Sequence, residues 1–310
     1  MPQMAIYMLY TRDMSPDIVI AAYAGLGGML GWGLADFFAK KTIDEIGDIV
    51  SLVVAHVLGT VLIFLFVVAR LTQGTKILVP HELTTWSSLV FFGAVQATVY
   101  LLVYRGFGKG QLAILNPLFA TYSGLVALIS VLFLGEAVSP TLAIGLFVVF
   151  TGVVLLNLDA AAFQSRKLAF VKIPGFREIL IATGLATLWT LGWNDFIRGQ
   201  DWLSLALWMY VFMTITLLAY AAATQTSLRF DNRRVWKYLF FIAVFETCAY
   251  VAISYGFSLT SHTSIVALLS GAFSLPTIVL ARVFLKEKVT LIQTVGTLVI
   301  VSGIILVSIV

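Results

Sequence analysis

The chain is written twice. Trp86 to Phe107 aligns without a gap on Trp236 to Phe257, with Trp86/Trp236, Leu89/Leu239, Phe91/Phe241, Tyr100/Tyr250, Gly106/Gly256 and Phe107/Phe257 identical. Phe133-Leu134-x-Glu136-x-Val138 falls on Phe284-Leu285-x-Glu287-x-Val289, and Gly145 and Gly152 then fall on Gly296 and Gly303. Nearer the start of each copy, Gly25, Leu26, Gly33, Asp36 and Phe37 fall on Gly184, Leu185, Gly192, Asp195 and Phe196. Each copy must fold into the same set of elements, and the two sets must then pack on one another.

Composition says where that packing happens. The 310 residues are 60% hydrophobic and 11% charged, with mean hydropathy +1.01. A soluble globule of this length would need far more charge to cover its surface, so the chain is an integral membrane protein. Ten apolar segments, each about 20 residues, are long enough to cross a bilayer as helices. They fall at 18–38, 49–70, 86–107, 111–134, 141–157, 178–197, 202–223, 236–257, 262–284 and 291–309. The expected fold is all-α, with ten transmembrane helices in two inverted five-helix repeats. Residues 1–17 form a short extramembrane N-terminus, 18–157 the first repeat, 158–177 a linker and 178–310 the second repeat.

The net charge of +4 does not point to nucleic acid, because the loops are too short to form a binding face. The basic residues instead orient the chain. Lys40, Lys41, Arg105, Lys109, Arg166, Lys167, Lys172, Arg177, Arg229, Arg233, Arg234, Lys237, Arg282, Lys286 and Lys288 fall on one side of the expected spans. Only Arg12, Arg70, Lys76 and Arg198 fall on the other. The positive-inside rule puts the first set in the cytoplasm and both termini outside, in the plasma membrane. Matched loops carry opposite charge: Gly135-Glu136-Ala137 has no base, whereas its copy reads Lys286-Glu287-Lys288. With five spans per repeat, the second copy must run upside down. The single cysteine, Cys248, excludes an intrachain disulfide and reads as a packed, inert thiol. No spacing suits a metal, and no Walker loop is present, so neither a metal site nor a cofactor is expected.

Together these features resemble the drug/metabolite transporter superfamily, in particular the ten-span EamA-type carriers. The resemblance rests on Gly31-Trp32-Gly33-Leu34-Ala35-Asp36-Phe37-Phe38 and on two Phe-Leu-x-Glu-x-x-Ser/Thr turns. Those turns are Phe133 to Ser139 and Phe284 to Thr290, each followed by a span bearing one of the glycine pairs. The resemblance implies a cavity formed by spans 1–4 and 6–9, with spans 5 and 10 peripheral. It implies substrates such as amino acids, sugars, nucleotide precursors or organic cations. Similar carriers have basic termini, implying ends inside; this chain has neither, and its own charges are followed.

Glu246 is the sharpest candidate, an ionisable group near the middle of the eighth span. Its repeat mate is Gln96, and Tyr250 and Tyr100 stand one turn beyond. Glu246 could bind a proton or a cationic group, or be a protonated interhelical glue. Asp36 and Asp195, near opposite membrane faces, could be symmetric gates, or acids reaching interfacial water beside Lys40 and Arg198. Thr183, Thr187, Thr190 and Asn194 share one face of the sixth span, opposite in the repeat to Ala24, Gly28, Gly31 and Ala35. The fourth span opens with Asn116-Pro117, where unwinding could line a site, and Pro276 interrupts the ninth. Ser123 and Ser274 are repeat mates, and Trp189 lies deeper than an interfacial belt. His56 reads as a satisfied interior histidine more than as a proton relay. Glu136 and Glu287 read as helix-start residues of spans 5 and 10. Where the copies differ, as at Gln96/Glu246 and Asn116/Ala267, binding chemistry is expected.

The reading is a secondary transporter of small organic metabolites working by alternating access; the resemblance implies export, of amino-acid-like or related solutes. It is not expected to be an enzyme. The competing readings are a polytopic intramembrane enzyme and a passive channel. The expected partners are a small-molecule substrate, the lipid bilayer and a proton as coupling ion, with the chain a monomer or a homodimer.

Overall fold

The computed structural model describes residues 16–74, 77–110, 112–156, 174–284 and 291–309. Among these the chain is all-helical, with no strand. The helices are α1 (Pro16–Ile46), α2 (Asp48–Thr72), α3 (Leu83–Lys109), α4 (Leu112–Leu132), α5 (Pro140–Leu156), α6 (Phe176–Ile197), α7 (Trp202–Ala223), α8 (Val235–Leu259), α9 (Thr263–Gly271), α10 (Ser274–Phe284) and α11 (Leu291–Ile309). Five of them, α1, α2, α3, α7 and α8, are long and apolar enough to cross a membrane, and several others are shorter and apolar. The 31 residues of α1 run well past the expected end at residue 38. At 1.5 Å per residue they span about 46 Å, longer than a bilayer core of about 30 Å. A single residue, Gly47, turns the chain from α1 into α2 with φ +84°, a conformation glycine adopts without strain.

The distribution of side chains is that of a lipid-solvated protein. Leu30, Phe64, Leu65, Phe91, Leu188 and Ile215 are exposed, while Ser51, His56, Gln96, Asn194 and Glu246 are buried. Water would favour the reverse; lipid has no use for polar groups, which therefore turn inward to find partners. Cys248 lies on the outward face of α8 and is exposed, correcting the expectation of a packed thiol. An apolar neighbourhood in sequence cannot tell core from lipid face, since both are apolar.

Packing follows the repeat. α1 packs on α8 and on α9, and correspondingly α6 packs on α3 and on α4. α2 meets α8 as α7 meets α3; α2 meets α7; and α5 and α11 pair with each other. The glycines of that last pair permit close approach: a Cβ at Gly152 would stand 2.6 Å from the Ile300 nitrogen. The α5–α11 pair sits at the periphery, making fewer contacts with the other helices than with each other.

Two local expectations change. α4 passes through Asn116-Pro117 without interruption. The ninth apolar segment is instead broken at Ala272–Phe273, between α9 and α10 and just before Pro276. Glu136 does not start α5. Ser139 does, its Oγ accepting the Leu142 N–H at 3.2 Å. Glu287, most of the linker 158–177 and the N-terminal residues before Pro16 lie outside the described residues.

Candidate functional site

A cavity opens between the two repeats. Its walls include Trp32 and Asp36 of α1, Gln96, Val99, Tyr100 and Val103 of α3, and Phe119 and Tyr122 of α4. The second repeat contributes Ala186, Trp189 and Thr190 of α6, together with Phe273 at the break between α9 and α10. With its mouth, the cavity holds about 490 Å³ of space free of atoms. It extends from mid-helix toward the ends of α1 and α3 that carry Lys40 and Lys109. Beyond Trp189 packed rings fill the space: Trp189 stacks on Trp193 at 5.6 Å, Trp193 meets Phe92 edge-on at 5.5 Å, and Phe92 lies tilted against Phe196 at 5.3 Å.

Asp36 is not paired with Lys40, whose ammonium binds Asp44 at 2.7 Å. Its carboxylate instead accepts the Asn116 side-chain N–H at 2.7 Å, and the Asn116 carbonyl accepts the Ser274 hydroxyl at 2.6 Å. Three candidates from separate spans thus form one relay. Asn116 and Ser274 are buried, and Asp36 is half-buried on the cavity wall. The break before α10 brings Ser274 to this point, and Thr277 donates to the Gly33 carbonyl at 2.9 Å, fastening α10 to α1. The repeat mates behave differently. Asp195 is exposed near the end of α6, and Arg198 binds Thr263 at 3.2 Å. Ser123 is spent on the Ala120 carbonyl of its own helix.

Glu246 lies behind the cavity wall, buried and facing His56, a residue of α2. His56 Nε2 and Glu246 Oε1 are 3.1 Å apart, close but not aligned as a hydrogen bond. The other ring nitrogen, Nδ1, lies 3.1 Å from the Leu52 carbonyl, which can only accept. Nδ1 therefore carries a proton, and Nε2 presents a lone pair to the carboxylate unless a second proton lies between them. Two bare lone pairs at this distance repel, and a proton on either side chain turns that repulsion into attraction. The Tyr100 ring stands edge-on to His56 at 5.0 Å and the Tyr210 ring stacks at 5.6 Å. Tyr100 also lines the cavity, and its hydroxyl faces Glu246. Tyr250 stays out of the cavity and packs on Tyr210 at 5.3 Å and on Trp189 at 5.9 Å.

The α6 stripe of Thr183, Thr187, Thr190 and Asn194 is buried along its length. Thr183 and Thr187 return their hydroxyls to their own helix, and Thr190 reaches the cavity. Asn194 is buried above it, its side-chain carbonyl unpartnered. A contact of the turn after α4 was also not legible in the sequence. Glu136, in the turn after α4, binds the start of α9, taking the Ser264 backbone N–H at 3.0 Å and the Ser264 hydroxyl. His262 lies 3.9 Å away. Burial raises the Glu136 carboxyl above its ordinary range, although the Ser264 hydrogen bonds and the nearby His262 and Arg198 charges oppose that rise.

A helical membrane protein in two repeats, with a mostly apolar cavity carrying a few polar groups where the repeats meet, is the architecture of a solute carrier. The model of the EamA-like transporter family matches residues 19–158 and 178–309, one match for each repeat, and the chain belongs to that family. One solved crystal structure superposes with a TM-score of 0.73 at 15% identity, over 93% of this chain and 98% of its own, which supports the fold. No curated protein matches the chain.

Proposed function

We propose that the protein is a secondary transporter of small organic metabolites that works by alternating access. Its ten spans form two inverted five-helix repeats in the plasma membrane, with both chain ends outside. The observation that carries the reading is the cavity built jointly by both repeats, from Trp32, Asp36, Gln96 and Tyr100 on one side and Trp189, Thr190 and Phe273 on the other. A solute held there touches both halves, so relative movement of the halves changes its access. The α5–α11 pair stands outside this arrangement.

The His56–Glu246 pair is the coupling site in this reading. It carries a proton that the bilayer environment keeps in place, and Tyr100 links it to the cavity. A solute that displaces Tyr100 alters the pair, and loss of the proton leaves a buried charge that favours rearrangement. Asp36 and its Asn116–Ser274 relay hold the solute.

Flux into liposomes of the purified protein tests this. Saturable uptake with counterflow marks a carrier, non-saturable flux a channel, and turnover without flux an enzyme. Glu246→Gln is expected to lower transport by at least about tenfold and to flatten its pH profile. An unchanged rate and an unchanged profile would remove Glu246 from the mechanism.

A further inference from the structure

We propose that the cavity is a receptor for a monocationic amine bearing a flat apolar group, with Asp36 as the counter-ion. This names the substrate class of the transport site and rests on reading that cavity as the site. Asp36 supplies the wall's acidic group, and among the described residues no lining residue is Lys, Arg or His. Its hydrogen-bond partner is the neutral Asn116 amide, and the nearest lysine on its own helix is engaged by Asp44. The carboxylate is thus oriented by a relay but not neutralised by it. A half-buried carboxylate in that position is satisfied by an incoming cation.

Two further groups point the same way. The Gln96 side-chain carbonyl is buried on the wall without a partner, an acceptor where an ammonium has donors to spare. Trp32, Tyr100, Phe119 and Phe273 give the rest of the wall aromatic faces, which attract a cation and cover a flat ring. The Trp32 indole N–H is unpartnered as well. Like the Gln96 amide and the Tyr100, Tyr122 and Thr190 hydroxyls of the same wall, it is a neutral donor, without the positive charge that would offset a carboxylate beside Asp36. A zwitterionic amino acid therefore brings a negative group into a cavity with no cation to meet it. The wall selects for the amine and against the acid.

Four ligands with one ring and one chain length read this rule: phenethylamine, its neutral N-acetyl derivative, phenylalanine and 3-phenylpropionate. Binding is measured by calorimetry on the detergent-purified full chain at neutral pH. Phenethylamine is expected to bind at least about tenfold tighter than each of the others, and Asp36→Asn to remove that preference. Equal or tighter binding of phenylalanine or 3-phenylpropionate overturns the proposal. So does failure of phenethylamine to bind, or its undiminished binding to a folded Asp36→Asn. The ligand series reads on the unmodified protein, so the test survives a variant that does not fold. Liposome flux separates the two readings. Amine binding with no flux sinks the transporter and keeps the receptor; saturable flux of a zwitterion without amine binding does the reverse.

Discussion

Gly25 and Gly184 occupy the same place in the two repeats and live in different surroundings. A Cβ added at Gly25 would stand 2.7 Å from the Leu269 Cβ and 3.2 Å from the Val266 carbonyl oxygen, so α1 is pressed onto α9. At Gly184 nothing lies within 4 Å, and the residue is exposed. Gly33, against Pro276 and the Phe273 carbonyl, and its mate Gly192, near only the Phe92 ring, repeat the contrast. Similar sequence has therefore produced one tight groove and one loose one. Helices with two available packings are what a carrier of two access states needs, and the proposal is that the two grooves exchange conditions during transport.

The strongest way to break that comparison is to fill both glycines. Gly25→Leu forces α1 off α9 and is expected to cost about 3 kcal/mol of stability, read as a large drop in melting temperature. Gly184→Leu is expected to change stability by no more than about 0.5 kcal/mol, because it meets nothing. If the grooves exchange, Gly184→Leu should nevertheless abolish liposome transport; full transport would show that the α6 groove never closes. A smaller effect is expected at the far end of the tight groove. Glu136→Ala removes the acceptor for the Ser264 N–H and should cost about 1 kcal/mol, the usual loss for a helix-start side chain. Cysteines placed beside Ser264 should then label faster, and unchanged labelling would show that Glu136 is not a clasp. The smallest effect is a pH slope. The Glu136 carboxyl is raised in the folded chain, so the fold binds its proton more tightly than the unfolded chain does. The stability it contributes is present below the ordinary value of 4.5 and falls as pH rises through the range above it. Glu136→Gln should remove that part of the melting-temperature profile, and an identical profile would locate the titration elsewhere.

Much of this architecture was legible because a repeat is a statement about packing. The α5–α11 glycines and the interior face of α6 could be read from spacing alone, and the depth of Glu246 followed from counting along its span. Its partner could not be found that way. His56 is a lone histidine in an apolar segment, and nothing local distinguishes it from one satisfied by its own helix, as its Nδ1 in fact is. Glu136 was visible as a motif, but its target stands 128 residues further on. Asp36 and Asp195 match in sequence, yet only Asp36 meets the Asn116–Ser274 relay, since Asn116 is replaced by Ala267 in the other copy. Partners of this kind are set by the tertiary arrangement, which local spacing does not encode.

The outward position of Cys248 has a practical side. It is the chain's only thiol, it lies at the centre of α8, and it is two residues from Glu246 on the opposite face of the helix. A nitroxide attached there would sit among acyl chains without touching the cavity, and its accessibility to oxygen would report its depth. The native protein thus already contains a depth gauge for the helix that carries its buried carboxylate.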